Sequence, residues 1–369
     1  MFSYWEYKTW LSNIDFTVIG SGIVGLSAAL CLQEKFPKAK ILILERGILP
    51  NGASTKNAGF ACFGSLSEIL DDLNTHSQED VLQLIQKRVQ GLQLLRKKLG
   101  DATIDYIHNG GYELFTTTDR NGYEQCLSKM NDINSLLLPI FKKDVFLKED
   151  NIFNFQNIQS KYILNQFEGQ INTGKMMTTL LQKVQTSNIH ILNNCNVQAV
   201  TDTSNSVKIE TNHFSFSSNK VLIATNGFAS QLGIEGIQPA RAQVLITEPI
   251  ANLNIKGTFH LDRGYYYFRN IDGRILLGGG RNLDLKTEET TTLGQTKLIQ
   301  DRLEDMLQKI ILPDINFRID QRWSGIMGVG SNKKSIVKQL SNNVFCGVRL
   351  GGMGIAIGSL VGTELADLL

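Results

Sequence analysis

The chain of 369 residues is long enough for two domains or one large domain with an insertion. Its 42% hydrophobic and 20% charged residues suit an ordinary globular protein, and a net charge of +2 without long basic runs excludes a dedicated nucleic-acid surface. No apolar run reaches membrane-spanning length, the five scattered cysteines have no CxxC or metal-ligand spacing, and the aromatic, charged start is unlike a signal peptide. A reducing, cytoplasmic setting without a metal site is expected.

Residues 14–19 form a short apolar run that predicts a buried strand, and residues 23–32 are apolar at helical spacing. Between them stands Gly20-Ser21-Gly22-Ile23-Val24-Gly25, and a second strand over 40–45 ends in the acid Glu45. This order is that of a βαβ dinucleotide-binding unit. Gly20 makes the turn, Gly22 admits a pyrophosphate to the backbone, and Gly25 lets the helix lie close to the strand. The helix N-terminus offers free N–H groups to an anion. Glu45, about twenty residues on, can accept hydrogen bonds from an adenosine ribose.

The next stretch, 47–64, is rich in small residues, including Gly52-Ala53-Ser54-Thr55-Lys56-Asn57-Ala58-Gly59-Phe60. It reads as a solvent loop or, following a βαβ unit, as a loop returning to the cofactor. Val81, Ile85, Val89, Leu92, Leu95 and Leu99 then predict a helix over 79–99, stopped by Gly100, whose stripe is core packing. A strand is expected over 112–117 and a helix over 121–138 that ends before Pro139. Residues 169–174 read as a turn into a helix over 175–185. Strands at 189–192 and 196–200 precede a hairpin through 207–211 and 213–216. The apolar strand 220–224 runs into Thr225-Asn226-Gly227, as a parallel strand does where it ends at a ligand crevice.

From Ala240 the pattern changes to short strands at 243–246, 258–261, 265–269 and 274–277, an antiparallel sheet. A helix over 293–311 is opened by Thr292 and Gln295 at capping-box spacing and stopped by Pro313. A last strand, 343–348, meets Gly351-Gly352-Met353-Gly354 and a helix from Ile355 to the end. That turn either packs a terminal helix closely or aims its N-terminus at the negative charge of a reduced flavin.

In their order and spacing these pieces resemble the D-amino-acid oxidase/glycine oxidase (DAO) family of FAD-dependent oxidoreductases over essentially the whole chain. The resemblance implies an α/β (α+β two-domain) fold. Residues 1–75, 165–230 and 320–369 would build a Rossmann-like, discontinuous FAD-binding domain, and 76–164 and 231–319 a substrate domain on an antiparallel sheet. It implies FAD held by Gly20, Gly22, Ile23, Val24, Gly25, Glu45 and Arg46, with Val197 beside the adenine. Ser54, Asn57, Ala58 and Gly59, Thr225, Asn226 and Gly227, Gly325, and Gly351, Gly352, Met353, Gly354 and Ile355 complete that set. It also implies oxidation of an amine carbon by hydride transfer to the flavin, with oxygen, a quinone or a carrier as the electron acceptor and FAD held without a covalent bond.

Tyr265 falls near the family's active-site tyrosine, although Tyr265, Tyr266 and Tyr267 can equally fill a sheet, and alternation leaves at least one of them doing so. Members that oxidise amino acids place a carboxylate-binding arginine after Trp-x-Gly-x; here Trp323-Ser324-Gly325-Ile326 is followed by Met327. Free glycine and simple D-amino acids are therefore poor candidates unless Arg269, Arg281 or Arg349 supplies the guanidinium, and Arg281 is selected with Tyr265 and Met327 as the catalytic set. The isolated histidines, His260 among them, are expected in core or surface roles. The competing readings are a nicotinamide-dependent dehydrogenase and an FAD-binding protein without turnover.

Overall fold

A computed structural model describes residues 1–369. Two eight-stranded sheets carry the chain. In the first, Ile14–Ile19 lies between Ile41–Leu44 and Ser215–Ile223, all parallel, with Val344–Val348 and His190–Leu192 parallel on either flank. Ile19 is level with both Leu44 and Ile223, so the turns after these three strands open at one carboxyl edge. Ile41–Leu44 and the end of the neighbouring strand, Val221 to Ile223, are buried on both faces, which is why these runs are continuously hydrophobic and not alternating.

Four helices pack into the core on one face, Thr173–Thr186 among them through Met176, Met177, Leu180 and Val184. Ile23–Lys35 meets the terminal helix Gly354–Ala366 through small residues. A Cβ on Gly362 would stand 2.6 Å from Ser27 Cβ, and one on Gly358 would stand 2.8 Å from Ile23 Cγ2. Gln78–Leu99 crosses the terminal helix at Gly91, whose Cβ would lie 2.3 Å from the Ala356 carbonyl oxygen.

In the second sheet the order is Ile319–Val329, Gln238–Thr247, Arg274–Gly279, Tyr266–Ile271, Thr258–Leu261, Gly111–Leu114, Lys161–Asn165 and Phe146–Asp150. It is antiparallel except where Thr258–Leu261 runs parallel to Gly111–Leu114. Aromatic residues fill its core, with Phe259 stacked on Phe268 at 4.5 Å and Tyr112, Phe155 and Tyr162 around them. The strand Ile319–Val329 belongs to this sheet, so the chain from residue 320, expected with the first sheet, joins it only at Ile336–Gln339. No helix is long and apolar enough to cross a membrane.

The structure corrects three further expectations. The helix Arg120–Phe141 runs through Pro139, because the carbonyl that loses its partner belongs to exposed Ser135 while Leu137, Ile140 and Phe141 anchor the last turn in apolar contacts. The helix expected from 293 starts at Lys297. Thr292 and Gly294 are held against the sheet by Arg241 and Ser324, and Thr296, bonded to Gln243, takes the N-cap position. Residues 213–216 and 220–223 form one strand, Ser215–Ile223, whose Ser218 pairs with Val207 antiparallel and with Ile14 parallel.

Candidate active site

A cleft of about 470 Å³ opens at the carboxyl edge of the first sheet and continues between the two sheets. Its floor is the glycine turn. Gly20 has φ +103° and its N–H donates to the Leu44 carbonyl at 2.8 Å; a Cβ there would meet the Ala224 oxygen at 2.9 Å. Ile23 N–H donates to Ser54 Oγ at 3.0 Å. The N–H groups of Gly22 and Val24 have no protein acceptor and lie in the cleft wall, so the helix presents free donors and its positive end. Gly25 does not line the cleft: it sits behind the turn, where a Cβ would stand 1.9 Å from the Gly20 oxygen.

Glu45 is buried and lines the cleft, but its carboxylate is engaged by protein donors. Oε2 accepts from Ser21 N at 3.1 Å and Ser21 Oγ at 2.7 Å; Oε1 accepts from Gly47 N at 2.9 Å and Asn51 N at 3.3 Å. The acid therefore braces the glycine turn against the loop after the second strand. Arg46 stacks on the Phe228 ring at 3.5 Å, and with Val197 and Asn196 it walls the same end of the cleft.

The small-residue loop returns to the cleft, and Ser54, Asn57, Ala58 and Gly59 all line it. Asn57 holds the loop's shape: Nδ2 donates to the Ser54 carbonyl at 2.8 Å, and Oδ1 accepts from Gly59 N at 2.9 Å and Thr173 Oγ1 at 2.8 Å. Gly325 in the facing strand lets the sheet approach Lys56, whose carbonyl accepts from Trp323 Nε1 at 2.9 Å.

On the opposite side Thr225 and Asn226 line the cleft, and Thr225 Oγ1 is a buried hydroxyl with no protein partner. Gly227 does not line it; a Cβ there would meet the Met327 oxygen at 2.5 Å, so this glycine lets the Met327 strand close in. Asn226 Oδ1 accepts from Leu350 N at 3.1 Å and so fixes the C-terminal turn. There Gly351, Gly352, Met353, Gly354 and Ile355 line the cleft, and the helix begins without a side-chain cap.

The far end separates the three arginines that the sequence left open. Arg269 is fully buried and donates to the Gly59 and Ile171 carbonyls at 3.0 and 2.7 Å, tying the second sheet to the small-residue loop outside the cleft. Burial draws its pKa down to about 10. Arg349 is committed to the Lys334 and Gly236 carbonyls and to Asn332 Oδ1. Arg281 is the free one: its guanidinium makes no protein hydrogen bond or ion pair, lies 5.5 Å from the Tyr265 ring, and faces the cleft. Tyr265 sits in the turn before its strand, Tyr266 is the sheet-filling one, and Tyr267 is a second, half-buried wall residue whose phenol is pushed up to about 12 by desolvation. Met327 lines the cleft with its sulfur beside Gly352.

His260, read as a core or surface residue, also lines the cleft. Its Nε2 is 2.5 Å from Glu168 Oε1 and both residues are buried. Burial works against the imidazolium, but the Glu168 carboxylate, supported by Glu68 and Glu113, prevails and pushes the His260 pKa up to about 9. A pKa raised from 6.5 contributes stability that is complete below that value and is lost as pH rises through 9. Thermal unfolding between about pH 6 and pH 10 is expected to show Tm falling towards the alkaline end, with a flatter profile in Glu168→Gln; parallel profiles would sink the assignment.

The glycine turn at the carboxyl edge of a parallel sheet, opening into one cleft, is the arrangement of a dinucleotide-binding fold. A sequence model of the FAD dependent oxidoreductases, the DAO family, matches residues 15–368, and the chain belongs to that family and is FAD-dependent. It is 22% identical over 398 residues to a probable oxidoreductase, OrdL, of Haemophilus influenzae, covering 98% of this chain and 84% of that one. Among solved structures, glycine oxidase from Geobacillus kaustophilus matches with a TM-score of 0.78 and 18% identity over 96% of this chain and 94% of that one. Iminodiacetate oxidase from Chelativorans sp. matches at 0.76 and 16%, covering 95% and 94%, and L-proline dehydrogenase from P. horikoshii at 0.73 and 17%, covering 96% and 93%. At these identities the structures establish the shared fold.

Proposed function

We propose that this FAD-dependent oxidoreductase oxidises the C–N bond of a small amine that carries a carboxylate. The carrying observation is Arg281, a guanidinium without a protein partner beside Tyr265 in the cleft. It supplies the bidentate carboxylate contact for which Met327 has no chemistry.

The residues present fit FAD. The N–H groups of Gly22 and Val24 suit its pyrophosphate, the orphaned Thr225 hydroxyl lacks a partner that a ligand would provide, and the glycine turns leave room where a Cβ would clash. Glu45, Arg46 and Val197 would hold the adenosine end; Asn57, Ala58, Gly59 and the turn 351–354 would hold the ring. When bound, FAD supplies a two-electron acceptor for the substrate hydride. Arg281 and Tyr265 would orient the carboxylate so that the donor C–H faces the ring, and Phe60, Tyr267 and Met327 would exclude water. The amine loses a hydride and a proton, and water hydrolyses the resulting imine to a carbonyl compound and a smaller amine. The substrate wall would be the second sheet and the cofactor domain the first. Five free cysteines support a reducing, cytoplasmic address.

Steady-state comparison of an N-alkyl amino acid with its methyl ester tests the carboxylate requirement. The ester is expected to lose about 100-fold or more in kcat/KM. Equal rates would exclude Arg281 as the anchor.

A further inference from the structure

Arg88 lies on the buried face of the Gln78–Leu99 helix, in line with Val81, Ile85, Leu92 and Leu95, and is 6% exposed. A guanidinium has five N–H donors. Here the one protein hydrogen bond runs from Nη1 to the Phe63 carbonyl at 2.7 Å, and no ion pair is made. The nearby carboxylates are otherwise engaged. Asp72 is 2.6 Å from Lys333 Nζ, and Glu68 Oε2 accepts the Ser65 N–H at 2.9 Å as part of a capping box. Gly64, at φ +132°, leaves space beside the group: even a Cβ would stay 3.6 Å from Nη1. The side chain lines the cleft. Burial lowers its pKa while Glu68 and Asp72 hold it up, and it remains a cation at neutral pH. Keeping a buried cation without a partner costs stability unless a ligand completes it.

Glu68 links Arg88 to the turn that carries Tyr265. Glu68, the first of its charged neighbours, touches Gly264: a Cβ on that glycine would be 2.8 Å from Glu68 Oε1. Gly264 precedes Tyr265, on whose ring Arg281 rests. Arg88 and Arg281, guanidinium groups from different elements without ion-pair partners, thus line one cleft, and Glu68 Oε1, to which no protein group donates, lies beside the turn before Tyr265.

We infer that Arg88 is a second anion-binding residue and that, with Arg281, it selects an amine bearing two carboxylates. This deepens the reading of the cleft as a carboxylated-amine site and rests on it. The charge pattern is complementary: the two guanidinium groups meet the two carboxylates, and Glu68 Oε1 accepts the amine N–H. A secondary amine with a carboxymethyl arm on each side of nitrogen has that order of charges.

The test uses the FAD-loaded full chain and two ligands that resist dehydrogenation. Oxydiacetate carries two carboxylates around an ether oxygen, and methoxyacetate carries one. Binding is read from the shift of the flavin absorption bands. Oxydiacetate is expected to bind ~10-fold or more tightly than methoxyacetate, and Arg88→Gln to remove that difference while leaving methoxyacetate unchanged. Arg88→Lys, which keeps the charge but not the fork, should retain part of it. Equal affinities of the two probes for the unaltered protein would overturn the inference, as would Arg88→Gln or Arg88→Lys binding oxydiacetate fully. Should Arg88→Gln instead weaken sulfite addition to the flavin and spare oxydiacetate, Arg88 serves the reduced ring and the inference falls. Arg281→Gln separates the two readings: it should weaken both probes, and methoxyacetate binding that survives it would remove the Arg281 anchor whatever Arg88 does. If Arg88→Gln fails to hold FAD, Arg88→Lys and the comparison in the unaltered protein still decide.

Discussion

Gly25→Ala is expected to yield protein without FAD and to lower stability by about 3 kcal/mol or more. The added Cβ would stand 1.9 Å from the Gly20 oxygen and 3.2 Å from Val18 Cγ1, backbone on one side and a buried strand residue on the other. Neither can yield by rotating a flexible side chain, so the helix must slide off the strand. It would carry with it the Gly22 and Val24 N–H groups assigned above to the pyrophosphate, and the Ile23–Ser54 bond that ties the second loop to the first. Lost cofactor binding removes a further share of native-state stability. Gly52→Ala is the control, because a Cβ there meets nothing within 4 Å. It should retain FAD and stay within about 0.5 kcal/mol of the unaltered protein. The flavin-to-protein absorbance ratio and a thermal melt check both; a fully yellow Gly25→Ala protein would contradict the packing described.

Arg281→Gln is expected to reduce kcat/KM for a carboxylated amine by about 30- to 1000-fold, the 2–4 kcal/mol of a truncated charge pair, with FAD content unchanged. The loss arises because no protein carboxylate competes for this guanidinium and neither Arg269 nor Arg349 is free to replace it. Arg269 is locked into the Gly59 and Ile171 carbonyls and Arg349 into Lys334, Gly236 and Asn332. Substituting those two should lower stability, since buried or constrained carbonyls lose their donors, and should not discriminate between an amino acid and its ester. Kinetics of the three variants on both substrates separate the roles.

The glycine-lined half of the cleft was legible because its signals are local. A glycine that must admit a backbone or avoid a clash leaves a fixed spacing, and Gly20, Gly22, Asn57 and the turn 351–354 line the cleft as that spacing implies. The same signal does not distinguish a glycine facing a ligand from one facing the backbone, and Gly25 and Gly227 proved to be the second kind. Glu45 stands where the pattern puts it, yet its carboxylate is occupied by Ser21, Gly47 and Asn51, partners that no spacing announces. The substrate half depended on long-range pairing. Three arginines that look alike in sequence differ only in what folds against them. Arg88 was hidden inside an apolar helical stripe, where one cation at a buried position was the available signal. His260 carried none, since Glu168 reaches it across the sheet from 92 positions away. Pro139 misled through a rule that holds for helix interiors and relaxes in an exposed last turn.

The most direct test of the central claim is the visible spectrum of the purified protein under anaerobic titration with amines. The account predicts oxidised-flavin bands that carboxylate-bearing amines bleach and that their esters bleach far more slowly. A flavin that no amine bleaches, and that a 2-hydroxy acid reduces instead, would contradict it.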